Sequence, residues 1–240
     1  MRYLTLIFIV FYPLIFLEND QSDWIYIFDG KTFDGWHQYN SDVIGSQWSI
    51  KNGELIFTNN EEKKQDLITV EEFENFKLSI EWNISKGGNS GIFFGVKEFP
   101  ELDEAYRSGP EIQVLDNENF FTATKLHRSP SLYDLIGPDK NSVKVNPHGE
   151  WNHLLLTVDH KKNLGTVEMN GQFAFTFPLH GPEWDKLVSK SKFRYKDYYV
   201  NRGTNNEFLA FGSFRSGKIG LQDHGSDVKF RNIKIKKLLK

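Results

Sequence analysis

The chain has 240 residues, with 29 basic against 32 acidic side chains and no cysteine. Without cysteine there can be no disulfide scaffold, thiolate zinc site, iron–sulfur cluster or cysteine nucleophile, and a net charge of −3 offers nucleic acid no basic field. Aromatic residues make up 15% of the chain and 19 Gly stand against 8 Pro, a mixture suited to strands and tight turns.

At the start, Met1-Arg2 precedes an apolar run from Tyr3 to Leu17 that stops at Glu18-Asn19-Asp20. A basic start before an apolar stretch is the pattern of a secretory signal, and the run is shorter than the ~20 residues a spanning helix needs. Residues 1–22 are therefore expected to be a signal peptide or an N-terminal anchor. The protein is expected to be exported, with no other membrane contact, and residues 23–240 to form one domain.

From Trp24 onward short strands alternate with turns. Trp48–Lys51 and Glu54–Thr58 flank Asn52-Gly53, a strong hairpin signal. Phe76–Trp82 alternates with period two, and Gly91–Val96 follows a loop built on Gly87-Gly88-Asn89. Glu111–Asp116, Asn152–Val158, Gly165–Met169, Phe173–Phe177, Lys218–Leu221 and Val228–Ile235 complete the strand-like runs. Pro182–Val188 is the helical candidate, with proline near its start and Trp184, Leu187 and Val188 on one face. Lys97–Arg107 and Lys192–Asn206 read as long loops. Together these predict an all-β fold, a two-sheet antiparallel sandwich or jelly roll with one short helix.

Parity sharpens this picture. If Ile112 and Val114 enter the core, Glu111 and Gln113 face the other way; if Ile219 and Leu221 do, Gln222 and His224 face away too. Two strands of one sheet would then present a shared surface with a carboxylate and an imidazole, or else an ordinary solvated outer face. Trp36, Tyr39 and Trp48 either stack on sugar rings or belong to the core. The seven histidines show no paired metal-ligand spacing, and no phosphate-binding glycine pattern is present. A metal assembled from distant strands stays open.

Several of these segments resemble one family. Phe28-Asp29-Gly30-Lys31-Thr32-Phe33-Asp34-Gly35-Trp36 looks like its opening motif, and Trp48–Leu55 like its first hairpin. Asn89-Ser90-Gly91-Ile92-Phe93-Phe94 and Gly109–Asp116 match its central strands. Leu132-Tyr133-Asp134, Trp151-Asn152, Asn170-Gly171, Ser191-Lys192-Phe193, Gly220–Gly225 and Val228–Ile233 follow in order. From about Ile27 to Leu238 the chain is similar to the 3-keto-disaccharide hydrolase domain family. The resemblance implies a concanavalin A-like jelly roll, bacterial export, and cleavage of glycosides already oxidised to a ketone at C3. Two segments depart from the family pattern, His127–Ser131 and Asp197–Arg202, both expected near the site.

A ketone at C3 acidifies the C2 proton, so a base can remove it and the enolate can expel the C1 substituent. Water addition afterwards gives net hydrolysis, with no need for the carboxylate pair of ordinary glycosidases. The required groups are a base, an enolate stabiliser and an acid for the leaving oxygen. His224 is the first choice as base, because imidazole titrates near neutral pH. Glu111 is the candidate acid, or the base if His224 orients substrate. Lys192, or a divalent metal ion acting as Lewis acid, would stabilise the enolate. Gln113, Asp116, Tyr133, Gln222 and His127 are candidate hydroxyl binders, with Asp116 and Asp223 on the core-facing parity. Two other readings remain: a conventional glycosidase, which needs a second carboxylate across the bond, and a non-catalytic carbohydrate-binding module.

Overall fold

The computed structural model describes residues 24–60, 65–100, 102, 104–121, 124–139, 142–194 and 211–238. The leader expected at residues 1–22 and the segment at 197–202 lie outside the described residues.

Strands with one apolar face must bury that face against a partner layer, and two antiparallel sheets meet the need here. The larger runs β11 (Gln172–Phe177), β10 (Leu164–Met169), β9 (Asn152–Asp159), β6 (Phe76–Ile84), β13 (Val228–Lys237), β4 (Glu54–Phe57) and β3 (Trp48–Lys51), with β1 (Ile25–Tyr26) paired to β13. The smaller runs β2 (Trp36–Gln38), β5 (Leu67–Thr69), β12 (Lys218–Leu221), β7 (Asn89–Val96) and β8 (Glu111–Leu115). The helix α1 (Pro182–Val188) buries Trp184 and Val188 and half-buries Leu187, as its spacing predicts.

Period-two patterning shows most plainly in β9, where Leu154, Leu156 and Val158 are buried and the residues between them are not. Leu78 and Ile80 of β6 stand opposite Leu156 and Leu154. From the other sheet, Leu221, Ile92 and Ile112 line up across β12, β7 and β8 and enter the same core. Trp36 and Trp48 are in that core as well, Trp48 edge-on to Phe57 with ring centroids 5.1 Å apart. Tyr39 belongs to a smaller apolar cluster with Ile68 and Phe93 on the outer side of the smaller sheet. None of these three rings serves as a sugar platform. Strands β1, β2 and β5 are additions to the sequence expectation.

Candidate active site

On the smaller sheet, β7 lies between β12 and β8. Ile92 and Phe94 turn into the main core, so Asn89, Gly91 and Phe93 face outward. Gly91 stands opposite Gln113 of β8, and its carbonyl accepts from the Gln222 N–H at 2.9 Å on the other side. A gap is thus left between two glutamines. A Cβ at Gly91 would run into the Glu111 carboxyl, so glycine is required there to seat that group. The Glu111 carboxyl seated over Gly91 lies with Gln113 and Gln222 in the floor of a cavity of ≈ 190 Å³. A cavity of about 150 Å³ takes benzene, so this one has room for a single pyranose ring.

Local pairing places the walls. The Gln113 N–H donates to the Ser131 carbonyl and the Tyr133 N–H to that of Glu111, both at 2.9 Å, which fixes Tyr133 beside Glu111. Lys192 Nζ lies 4.3 Å from the Tyr133 ring centroid and 5.5 Å from that of Tyr106. Tyr106 belongs to a 3-10 turn, Ala105–Arg107, that brings it and Glu104 to the cavity. Asp66 ties that turn to the end of β12, accepting from the Ala105 N–H at 2.9 Å and the Asp223 N–H at 3.0 Å.

At the mouth His224 is exposed, with Asn89 Nδ2 3.3 Å from each ring nitrogen. Asn89 Oδ1 accepts from Gln113 Nε2 at 2.7 Å, so a polar chain runs from the floor to the imidazole. The Oε1 atoms of Gln113 and Gln222 are buried and take no hydrogen bond among the described residues. Buried acceptors of this kind normally have donors.

Electrostatics set two carboxyls apart. Burial pushes Glu111 up to about 8; the Lys192 ammonium moderates that rise and the Asp66 charge adds to it. Burial likewise pushes Asp66 up to about 7, against the pull of its two backbone donors and with added push from Glu104 and Asp223. At neutral pH Glu111 therefore carries a proton it can donate. The Asp223 carboxylate accepts from the Gln65 and Gly225 N–H groups, both at 3.0 Å, holding the turn after β12 while also lining the cavity.

Of the sequence candidates, Glu111, Gln113, Tyr133, Lys192, Gln222 and His224 come together around this cavity. Asp116 and His127 do not line it. Asp116 is buried and receives hydrogen bonds from the N–H groups of Gly87, Glu118 and Asn119 and from Asn119 Nδ2. Burial alone would raise its pKa, but these donors outweigh it and hold the carboxyl low. Its work is to fix the loops, so Asp116→Ala is expected to cost about 2–4 kcal/mol through stranded donors. Turnover at a permissive temperature should stay within a few-fold; chemical denaturation and a rate assay check both. His127 sits behind Tyr133, stacked on its ring at 4.8 Å.

Asn89, Asp66, Glu104 and Tyr106 are cavity residues absent from the sequence candidates. Parity from Ile92 could have found Asn89, whereas the other three lie outside any alternating run. No group of three or more His, Asp or Glu side chains among the described residues is set to hold a metal ion.

These features define a lectin-like β-sandwich that carries a polar cavity lined by titratable side chains. The model of the 3-keto-alpha-glucoside-1,2-lyase-like domain matches residues 23–236, and the chain belongs to that family. It is 38% identical over 243 residues to a 3-keto-disaccharide hydrolase from Bacteroides thetaiotaomicron, covering 92% of this chain and 81% of that one. A candidate glycosyl hydrolase from Parabacteroides distasonis superposes with a TM-score of 0.78 at 26% identity, over 92% of this chain and 96% of the other. A galectin-like protein from Bacillus subtilis, 13% identical with a TM-score of 0.51 over 85% of this chain and 90% of its own, shares the fold. The chain is an enzyme of the glycoside-cleaving kind.

Proposed function

We propose that the enzyme cleaves glycosides whose glycosyl ring carries a ketone at C3, by elimination across C1–C2 followed by addition of water. The reading rests chiefly on one observation: a buried Glu111, its carboxyl pushed up to about 8 by that burial, and an exposed His224 share a ring-sized polar cavity. His224 removes the C2 proton, and the resulting charge on the C3 oxygen is met by the Lys192 ammonium. The enolate collapses, the C1–O bond breaks, and Glu111 delivers its proton to the leaving oxygen. The ring is left with a C1=C2 double bond conjugated to the ketone. Water then adds at C1, returning one proton to Glu111 while C2 regains one from His224. Gln113 and Gln222 accept hydrogen bonds from ring hydroxyls, and Tyr133 borders the ring.

An ordinary retaining or inverting pair fits less well, because it requires one carboxylate ionised beside one acid. Of the other lining carboxyls, Asp66 is itself pushed up to about 7, Asp223 is occupied by backbone donors, and Glu104 Oε2 stands 3.9 Å from Arg107 Nη2.

Incubation with an aryl 3-keto-glucoside in D₂O tests the chemistry. Aglycone release with deuterium appearing at C2 is the expected result. Release with protium retained at C2 removes the elimination step, because a base as exposed as His224 exchanges its proton with solvent, and absence of release removes the substrate class. Residues 1–22 are read as an export signal; N-terminal sequencing of the protein from its native cells should find them absent or anchored in membrane. Intact Met1 on soluble cytoplasmic protein would sink that reading.

A further inference from the structure

Beyond the groups that face the cavity, we infer that Asp134 is a positioning residue that holds Lys192 in place through both of its carboxylate oxygens. Its Oδ2 accepts from the backbone N–H of Lys192 at 2.6 Å, and its Oδ1 stands 2.8 Å from His127 Nε2. Between these two partners is Tyr133, whose ring stacks on His127 and lies 4.3 Å from the Lys192 ammonium. One side chain thus ties together the turn after residues 131–133, the ring beneath the ammonium, and the backbone of the loop that supplies it. The turn is built around the same residue. Asp134 has φ 59° and its own N–H donates to the Leu126 carbonyl at 2.9 Å. That left-handed backbone is a conformation Asp and Asn tolerate better than most residues.

The geometry makes the position of one charge depend on a group that does not reach the substrate. Lys192 is the cation that acts on Glu111; Asp66 opposes it, and Glu104, Asp223 and His224 border the same cavity. If Asp134 lets go, the Lys192 backbone loses that anchor between the buried Ser191 and Phe193, and its ammonium is freer to withdraw from Glu111. The sign follows directly: a carboxyl that loses a nearby cation becomes harder to ionise, so the Glu111 midpoint rises. The link to catalysis rests on the elimination reading above, whereas the link to Glu111 ionisation does not.

The test is therefore made on substrate-free protein, by following the carboxyl ¹³C shift of Glu111 against pH, the signal being assigned from its loss in Glu111→Gln. Lys192→Met should raise the midpoint. Asp134→Asn keeps an oxygen and suits the left-handed turn, but it weakens the clamp; loss of its charge alone would lower the midpoint, so a rise of about 0.5 or more reads the withdrawal of Lys192. The double variant should rise no further than Lys192→Met alone, since both act through one charge. Asp134→Gly, which accepts the positive φ without a side chain, should repeat the result should Asp134→Asn fold poorly. An unmoved midpoint in both Asp134 variants, or additivity with Lys192→Met, overturns the inference. Because no turnover is read, that failure is distinct from failure in the D₂O assay.

Discussion

Glu111→Gln is expected to lower turnover of a 3-keto-disaccharide by about 10²-fold or more and, in the same molecule, to stabilise the fold at alkaline pH. The first effect follows from loss of the proton donor. It should shrink when the leaving group is a nitrophenol, which departs without protonation, and that contrast separates a donor from a structural carboxyl. The second effect follows from linkage. The native pKa is pushed up to about 8 from an ordinary value of 4.5, so between those limits the native state holds a proton that the unfolded chain has released. Stability contributed by the neutral carboxyl is present at low pH and lost as pH rises through about 8. Glutamine keeps the shape and never ionises. Its advantage should be near zero below about pH 4.5, grow with pH, and level off above about 8 at a few kcal/mol. Denaturant melts of both proteins at pH 4.5, 7 and 9 measure it; a constant difference would mean that the carboxyl is not held neutral. Wild-type turnover should likewise fall as pH rises through the same range.

His224→Ala is expected to reduce turnover by about 10²-fold or more for disaccharide and nitrophenyl substrates alike, because C2 proton removal precedes departure of either leaving group. KM should change much less, since Gln113 and Gln222 lie on the floor and His224 at the mouth. The exchange of C2 hydrogen with solvent should fall in parallel with turnover. Retained exchange in the variant would move the base role elsewhere, and Glu111 would be the next group to examine by the same readout.

Where sequence alternation reached the site, it did so because one face of a strand is apolar and the other is not. In β8, Ile112 and Val114 enter the core, which turns Glu111 and Gln113 outward. The Asn52-Gly53 turn joins β3 to β4, and the proline-led helix lies where its apolar face predicts. The same logic fails where both faces are covered. Leu67, Ile68 and Thr69 of β5 are all buried, because Leu67 enters the main core and Ile68 the outer cluster; no alternation survives to be read. It fails again once a strand ends. Parity sends Asp223 to the core, but β12 stops at Leu221 and the turn that follows brings Asp223 to the cavity. Asp66 and Glu104 lie outside strands, and only the tertiary contact at Ala105 brings them together. His127 is a different case: Asp134 follows seven positions later, and folding sets His127 against the back of Tyr133 instead of in the cavity lining.

The floor glutamines also act as a ruler. Gln113 lies on β8 and Gln222 just past the end of β12, with only β7 between them. Their backbones are therefore two inter-strand spacings apart, about 9.5 Å, a distance that main-chain hydrogen bonding fixes. No side-chain substitution can lengthen or shorten that gauge without breaking the sheet. The rim side chains of Tyr106, Tyr133 and Lys192 are the part of the lining that substitution can reshape without touching that pairing.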